Sequence, residues 1–429
     1  MDKTIYTDIA VIGGGASGIV SAISATRYAE SIGKNINIVI LEKEDRIGKK
    51  LLLTGNGKCN ITNKNINKKF YYSNDMAKLQ NILNRFSSEY IMDFFSRLGI
   101  IFHEDSEGRV YPYCNQAAAV LNVLREELNR LSIREICKVD IDDIPKKDGY
   151  FVIKSDELTV KSKKIIVSTG GKASTLSCNN PKIYKYLVDF GHTMLPIFPS
   201  LVQVKTDSNF IKSLKGLRCR AKVSLVADSL ELKSEIGELQ FSDNALSGIC
   251  IFSLSRLVSE YFNCGKILGK SYKKLFVVVD LLPEYSKDDI YSFVKNRVKL
   301  KSDSIVEDFL LGAINKRIAI AFFKSINIPL SKRVSELDKS DINNIAYSLK
   351  NWRFEPKGVM PWKNAQVTAG GIDISEFNER TMESKKLLGL FACGEVLNVD
   401  GDCGGFNLHW AWSSGYLAGE SAAKSLFEI

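Results

Sequence analysis

Residues 7–42, TDIAVIGGGASGIVSAISATRYAESIGKNINIVILE, constrain the fold more than any other stretch. A β-branched run, Ile9 to Ile12, leads into the turn Gly13-Gly14-Gly15-Ala16-Ser17-Gly18, and a helical pattern follows to about Ser31. A second β-branched run, Ile36 to Leu41, ends in Glu42. This is G-x-G-x-x-G in the strand–turn–helix–strand context that gives the motif meaning. Gly13 permits the sharp turn, Gly15 lets a pyrophosphate approach the backbone, and Gly18 lets the helix lie against the strand. The helix start at Ala16 and Ser17 offers free N–H groups and a partial positive charge to phosphates. Glu42, with Lys43 beside it, stands where a carboxylate accepts from ribose hydroxyls, and an acid there repels a 2′-phosphate. The bland alternative is a glycine-rich turn in a plain βαβ unit.

The rest of the composition narrows the class. At 429 residues, 45% hydrophobic and 25% charged, the chain is an ordinary globular protein of two or three domains. No apolar run reaches the roughly 18–20 residues of a membrane span, and the apolar start is glycine-punctuated, unlike a secretory signal. A cytoplasmic location is expected. The nine cysteines are scattered without a C-x-x-C pair and the three histidines are far apart, so no metal site is expected. A net charge of +10 is modest for this length and reads first as a solvated surface, with nucleic acid an unlikely partner.

Beyond Glu42 the chain departs from a nicotinamide dehydrogenase. Lys50 precedes a second glycine–polar loop, Thr54-Gly55-Asn56-Gly57-Lys58-Cys59-Asn60, suited to close backbone approach along a longer ligand. The run KKIIVSTGGKAS places Thr169-Gly170-Gly171 after a strand, Ile165 to Ser168, and resembles the point in two-dinucleotide-fold flavoproteins where the chain returns to the flavin domain. Two stretches upstream, REICKVDIDDI and GYFVIKSDELTVKSKKIIV, read as antiparallel strands feeding that return, and the resemblance to two-dinucleotide-fold flavoproteins implies that Val139 sits near an adenine.

Several blocks together resemble one family. GGGASG, LLLTGNGKCNITN, EGRVYP (107–112), STGGKAS (168–174), GELQFSDNALSGICIFSLS (237–255) and the long segment 368–419 are similar to the BaiN-like (YhiN-like) FAD-dependent oxidoreductases. That family includes proteins assigned as bile-acid-intermediate reductases and as aminoacetone oxidases. The resemblance implies an α/β fold: a discontinuous Rossmann-like FAD-binding domain of the two-dinucleotide-fold flavoprotein type, with an inserted β-barrel and a helical subdomain. The expected bounds are 1–192 and 357–429 for the FAD domain, 193–285 for the β-rich insertion and 286–356 for the helical subdomain. A substrate cleft is expected where the insertion meets the flavin domain.

In that pattern LLGLFACGE is a strand ending in Gly394-Glu395, where related flavoproteins carry an acid for the ribityl chain. Gly404-Gly405-Phe406-Asn407 opens the final helix, whose amides would face the flavin N1 and O2 edge. Gly415 and Gly419 give that helix a flat face. Trp410 and Trp412 are core candidates. His409 is a candidate acid–base residue or a packing histidine, and Cys59 with Cys403 a redox pair or plain packing. For catalysis, Tyr111, Tyr113 and Arg109 are candidate proton donors. No second G-x-G-x-x-G follows, so NAD(P)H would visit transiently as electron donor, or O2 would serve as acceptor. Three activities stay open: reduction of an activated C=C in an enone, oxidation of an aminoacetone-like amine, and a flavin-dependent role on RNA.

Overall fold

The computed structural model describes residues 3–174, 176, 182, 184–206 and 210–427, and these form two compact units. The first comprises residues 1–197 and 366–429, and the second residues 198–365.

The first unit is built on a sheet whose centre is parallel. The strand Lys3–Ile12 lies between Ile38–Leu41 and Leu158–Val167, and Arg134–Ile136 extends the sheet beyond Ile38–Leu41. Ile9–Ile12 and Ile38–Leu41 are buried throughout, the signature of parallel strands covered on both faces. The strand Leu158–Val167 is shared between two kinds of pairing. Its first half pairs antiparallel with Tyr150–Ser155, and its last three residues pair parallel with Leu390–Ala392. The expected antiparallel pairing of Arg134–Ile136 is therefore corrected, since this segment runs parallel to Ile38–Leu41.

Helix Ala16–Ser31 packs its backbone against the last helix, Phe406–Phe427. A Cβ added at Gly415 would lie 2.4 Å from the Ser17 carbonyl oxygen, and one at Gly419 would lie 1.9 Å from that of Ser21. Ser24 Oγ donates to the Tyr416 carbonyl at 3.0 Å across the same contact. These glycines set the helix–helix distance.

The second unit carries a seven-stranded antiparallel sheet. Its order is Trp352–Phe354, Leu275–Asp280, Arg218–Ala227, Leu230–Phe241, Ala245–Ser247, Val204–Thr206 and Pro356–Val359. Helices Ile249–Cys264, Lys287–Leu300, Lys316–Ser325 and Lys339–Lys350 belong to the same unit. The insertion thus differs from the expected division at 285/286 and 356/357. Strands Trp352–Phe354 and Pro356–Val359 return to the sheet after the helices, with Val277 opposite Phe354 and Val204 opposite Val359, and so tie both parts together.

Candidate cofactor and active site

Five residues lie side by side at one edge of the first unit's sheet. Register places Ile136 beside Leu41, Leu41 beside Ile12, Ile12 beside Val167 and Val167 beside Ala392. All five are at or next to the carboxyl ends of parallel strands, where open α/β sheets bind ligands. The loops that follow hold Gly13–Gly18, Glu42–Lys43, Val139, Thr169–Gly171 and Gly394–Glu395. One crevice therefore gathers candidates spread over nearly four hundred positions of sequence.

The glycine turn has separable duties. A Cβ at Gly13 would meet the Ser168 carbonyl oxygen at 2.5 Å, and one at Gly18 the Gly13 carbonyl oxygen at 2.0 Å. A Cβ at Gly15 would meet nothing within 4 Å. Gly15 is the N-cap and, being glycine, offers no side chain to the first-turn amides. Ser168, which the sequence pattern did not single out, closes the turn by donating to the Gly13 carbonyl at 2.8 Å.

Glu42 is fixed on both oxygens, accepting from Gly14 N at 2.7 Å and from Glu44 N at 2.9 Å. Its carbonyl accepts from Val139 N at 2.9 Å, which holds Val139 beside it, and Lys43 pairs with Asp140 at 3.1 Å.

Lys50 and Glu395 meet at 2.5 Å, and the other oxygen of Glu395 accepts from Thr368 N at 2.7 Å. A Cβ at Gly171 would lie 2.4 Å from Thr368 Oγ1 and 2.6 Å from Glu395 Oε1. Gly170 is left-handed at φ 74° with open space beside it, and the Thr169–Gly171 loop thus lies against this pair. Gly394 donates its N–H to Ser414 Oγ at 2.9 Å, and a Cβ there would strike Ser17 Oγ at 2.4 Å. Thr368 and Ser414 both lie within the family-like segment but have no signature of their own.

The loop Thr54–Asn60 is tightly wound, with left-handed φ at Gly55, Asn56, Gly57 and Cys59. Cys59 N donates to the Thr54 carbonyl at 3.1 Å, and Thr54 Oγ1 caps the Leu51 carbonyl at 2.6 Å. Asn56 and Lys58 are exposed, whereas Cys59 and Asn60 are buried. Burial pushes the Cys59 thiol up to about 12, so it is a poor thiolate for a redox pair with Cys403. Asn60 Oδ1 is a buried acceptor without a hydrogen-bond partner.

The start of the last helix is fixed by its neighbours. A Cβ at Gly405 would lie 2.6 Å from the Thr62 carbonyl and 2.7 Å from Asn60 Oδ1, so the neighbouring chain by itself requires glycine here. The Asn407 side chain is spent on the Gly401 N–H at 2.8 Å and the Gly401 carbonyl at 2.7 Å. Asn63 Nδ2 donates to the Gly404 carbonyl at 2.9 Å, and Phe406 stacks on Phe70 with centroids 4.7 Å apart. Trp410 and Trp412 are buried, donating to the carbonyls of Gly394 at 3.1 Å and Ile61 at 3.0 Å.

His409 is corrected from acid–base candidate to structural group. It is fully buried between Thr62 Oγ1 at 2.8 Å from Nδ1 and the Phe86 carbonyl at 2.9 Å from Nε2. The carbonyl only accepts, so Nε2 carries the proton and Nδ1 accepts from the threonine. Burial lowers its pKa to about 4.

Tyr111 stands against the wound loop, its ring 3.7 Å from where a Cβ of Gly55 would be. Burial raises its pKa, and the Arg109 side chain beside it acts in the opposite sense. Arg109 pairs with Glu107 and lies 3.7 Å from Asp105. Behind Tyr111, His103 stacks at 5.5 Å and 20°, and Tyr113 meets His103 edge-on at 6.3 Å. Among the described residues no group of His, Cys, Asp and Glu has metal-site geometry, and no helix is long and apolar enough to cross a membrane.

An extended flavin dinucleotide fits this crevice on three counts. Gly15 and Gly170 leave room beside the backbone, Glu42 presents a fixed carboxylate, and Asn60 Oδ1 awaits a donor. Comparison with known proteins agrees. The model of the HI0933-like protein Rossmann domain matches residues 7–421. The chain is 34% identical over 416 residues to a 3-dehydro-bile acid delta(4,6)-reductase of Clostridium scindens, covering 97% of this chain and 99% of that one. It is 26% identical over 422 residues to a ribosomal RNA dihydrouridine synthase of Escherichia coli, again covering 97% and 99%. Among solved structures, the Mycobacterium smegmatis Sdh1 complex shares the fold with TM-score 0.50 at 13% identity, covering 100% of this chain and 69% of that one. A quinol–fumarate reductase does so with TM-score 0.50 at 14% identity, covering 98% and 71%.

Proposed function

The chain belongs to the HI0933-like family of FAD-dependent oxidoreductases, and from that premise we propose that it saturates a carbon–carbon double bond conjugated with a carbonyl group. The substrate class is a ring enone of the unsaturated 3-oxo steroid or bile-acid type, and the narrower BaiN-like assignment is part of this reading. Its support is the relative at 34% identity, whose coverage is nearly complete on both sides. FAD, when bound, supplies the hydride for such chemistry. NAD(P)H is the proposed electron donor.

The chain's own residues supply binding and the proton. First-turn amides at Ala16 and Ser17 take the pyrophosphate, Glu42 the ribose, and the Thr54–Asn60 loop with Glu395 and Lys50 the remainder of the ligand. The β-carbon of the enone gains hydride, and the α-carbon gains a proton from the Tyr111 phenol, which water then reprotonates. The observation that carries this role is the place of Tyr111: it touches the loop at Gly55, burial keeps it protonated at neutral pH, and Arg109 stands beside it to stabilise the phenolate.

A second reading keeps the chemistry and changes the substrate. Ribosomal RNA dihydrouridine synthases of two organisms match, Escherichia coli at 26% and Haemophilus influenzae at 24% identity. The uracil ring also holds a C=C conjugated with a carbonyl, so one proton donor serves either substrate.

The test is anaerobic. Holoprotein reduced by light and mixed with a conjugated ring enone should regain its flavin absorbance, with loss of the enone band. Flavin that stays reduced with every enone, yet yields stoichiometric peroxide from aminoacetone and O2, would replace this reading with an amine oxidase.

A further inference from the structure

Two asparagines beside the start of the last helix are committed to the fold, and a third is not. Asn63 donates to the Gly404 carbonyl at 2.9 Å and accepts from Asn65 N at 2.8 Å. Asn407 closes on both the N–H and the carbonyl of Gly401. Asn60 is only 7% exposed, yet its Oδ1 has no hydrogen-bond partner. Leaving a buried acceptor unpaired is costly, and a fold tolerates it where a ligand completes the bond. The backbone leading into it is strained as well. Cys59 is buried at a left-handed φ of 60°, a conformation that a non-glycine side chain adopts only when its surroundings impose it.

Asn60 joins two walls of the crevice. Its Oδ1 lies 2.7 Å from where a Cβ of Gly405 would be, at the start of the last helix. Its own Cβ lies 3.8 Å from where a Cβ of Gly55 would be, and the Tyr111 ring lies 3.7 Å from that same point. Asn60 and the proposed proton donor therefore flank one glycine of the wound loop. In the proposed reaction the carbon that takes the proton and the carbon that takes the hydride are bonded neighbours. The flavin N5, from which the hydride leaves, must then come close to Tyr111, and so to Asn60.

That nitrogen changes its hydrogen-bonding sense with redox state. In oxidised flavin N5 carries a lone pair and accepts; after uptake of two electrons and a proton it is an N–H and donates. A carboxamide oxygen facing N5 opposes the first state and pairs with the second. We propose that Asn60 Oδ1 accepts from the N5–H of reduced FAD, so that this residue holds the reduced cofactor more tightly than the oxidised one and raises its reduction potential. Hydrogen bonds to ring nitrogens are among the means by which a protein tunes a bound flavin. The inference rests on the enone reading only for the place of N5 beside Tyr111.

The experiment needs no substrate. Midpoint potentials of wild-type and Asn60→Leu holoprotein are measured by equilibration with redox dyes, and affinity for oxidised FAD by fluorescence titration of apoprotein. Asn60→Leu should bind oxidised FAD within about threefold of wild type. Its potential should fall by about 30 mV, because a tenfold weaker hold on the reduced form alone is worth about 30 mV for a two-electron couple. A potential that is unchanged or raised overturns the proposal. Wild type gives a second readout that does not depend on how the variant folds. In reduced holoprotein carrying flavin labelled with ¹⁵N at N5, the N5–H proton should show a nuclear Overhauser contact to the Asn60 side chain, and absence of that contact overturns the proposal equally. Enone reoxidation tests the reaction separately: flavin that no enone reoxidises, with the potential shift and the contact both present, would strike the reaction and leave this role of Asn60 standing.

Discussion

Lys50 Nζ lies 2.5 Å from Glu395 Oε2, joining the loop after Ile38–Leu41 to the loop after Leu390–Ala392 across 345 positions of sequence. Glu395 also holds Thr368 N at 2.7 Å, so this pair positions three segments around the crevice. Both side chains are partly exposed, and an ion pair of that kind contributes little to global stability. Its effect belongs to cofactor binding. Glu395→Gln and Lys50→Met should each weaken FAD affinity about tenfold with the apoprotein melting temperature nearly unchanged. The double variant should lose less than the two combined, since the residues act as a pair. Fluorescence titration of apoprotein with FAD measures this.

Gly419 tests the helix contact. A Cβ at this position falls 1.9 Å from the Ser21 carbonyl oxygen, which belongs to rigid helix backbone. Gly419→Ala must therefore push the first and last helices apart, and overpacking of this type costs about 1–3 kcal/mol. Denaturant unfolding should show that loss, although alanine is intrinsically the better helix former.

His409 makes stability depend on pH in a definite direction. Its folded pKa is lowered to about 4 from an ordinary value of 6.5. The unfolded chain therefore takes up the proton first, and folded-state stability is fully present above pH ~6.5 and falls as pH drops toward ~4. The total is on the order of 3 kcal/mol. Unfolding free energies of wild type and His409→Gln should differ most at neutral pH and converge as pH falls through this window. Parallel curves would contradict the buried neutral imidazole.

Tyr111 carries the proton in the proposed reaction. Burial raises its pKa, so the phenol stays protonated through neutral pH and proton delivery should fail only in alkali, above the ordinary range near ~10. Tyr111→Phe should lower the rate of flavin reoxidation by enone by about 10²- to 10⁴-fold, the usual scale for a lost general acid, while retaining FAD. Stopped-flow measurement of the two variants across pH reads both effects.

The sequence revealed most where structure is local. The turn Gly13–Gly18, its strands and the terminal Glu42 are contiguous, so hydrophobic pattern and glycine spacing were enough to read a Rossmann-like unit. Roles set by distant partners were not legible. Gly405, Gly415 and Gly419 look alike in sequence, yet the first faces Thr62 and Asn60 and the others face the carbonyls of Ser17 and Ser21. The place of His409 depends on Thr62 and Phe86, hundreds of residues away. The helix Ile249–Cys264 was hidden by a β-like apolar run, although Gly248 with φ 101° breaks the chain before it. The return of Trp352–Val359 to the second unit's sheet is a non-local pairing that composition does not announce.

We propose that the turn at Gly15 and the crevice beside it hold a single FAD. Gly15 has φ −83°, which any residue adopts, and an added Cβ meets nothing, so Gly15→Val should fold normally. Its side chain would instead fill the space left for the pyrophosphate. Calorimetric titration of apoprotein should give one FAD per wild-type chain and no measurable binding to Gly15→Val, with matching circular dichroism. A variant that binds FAD as tightly as wild type would contradict the account.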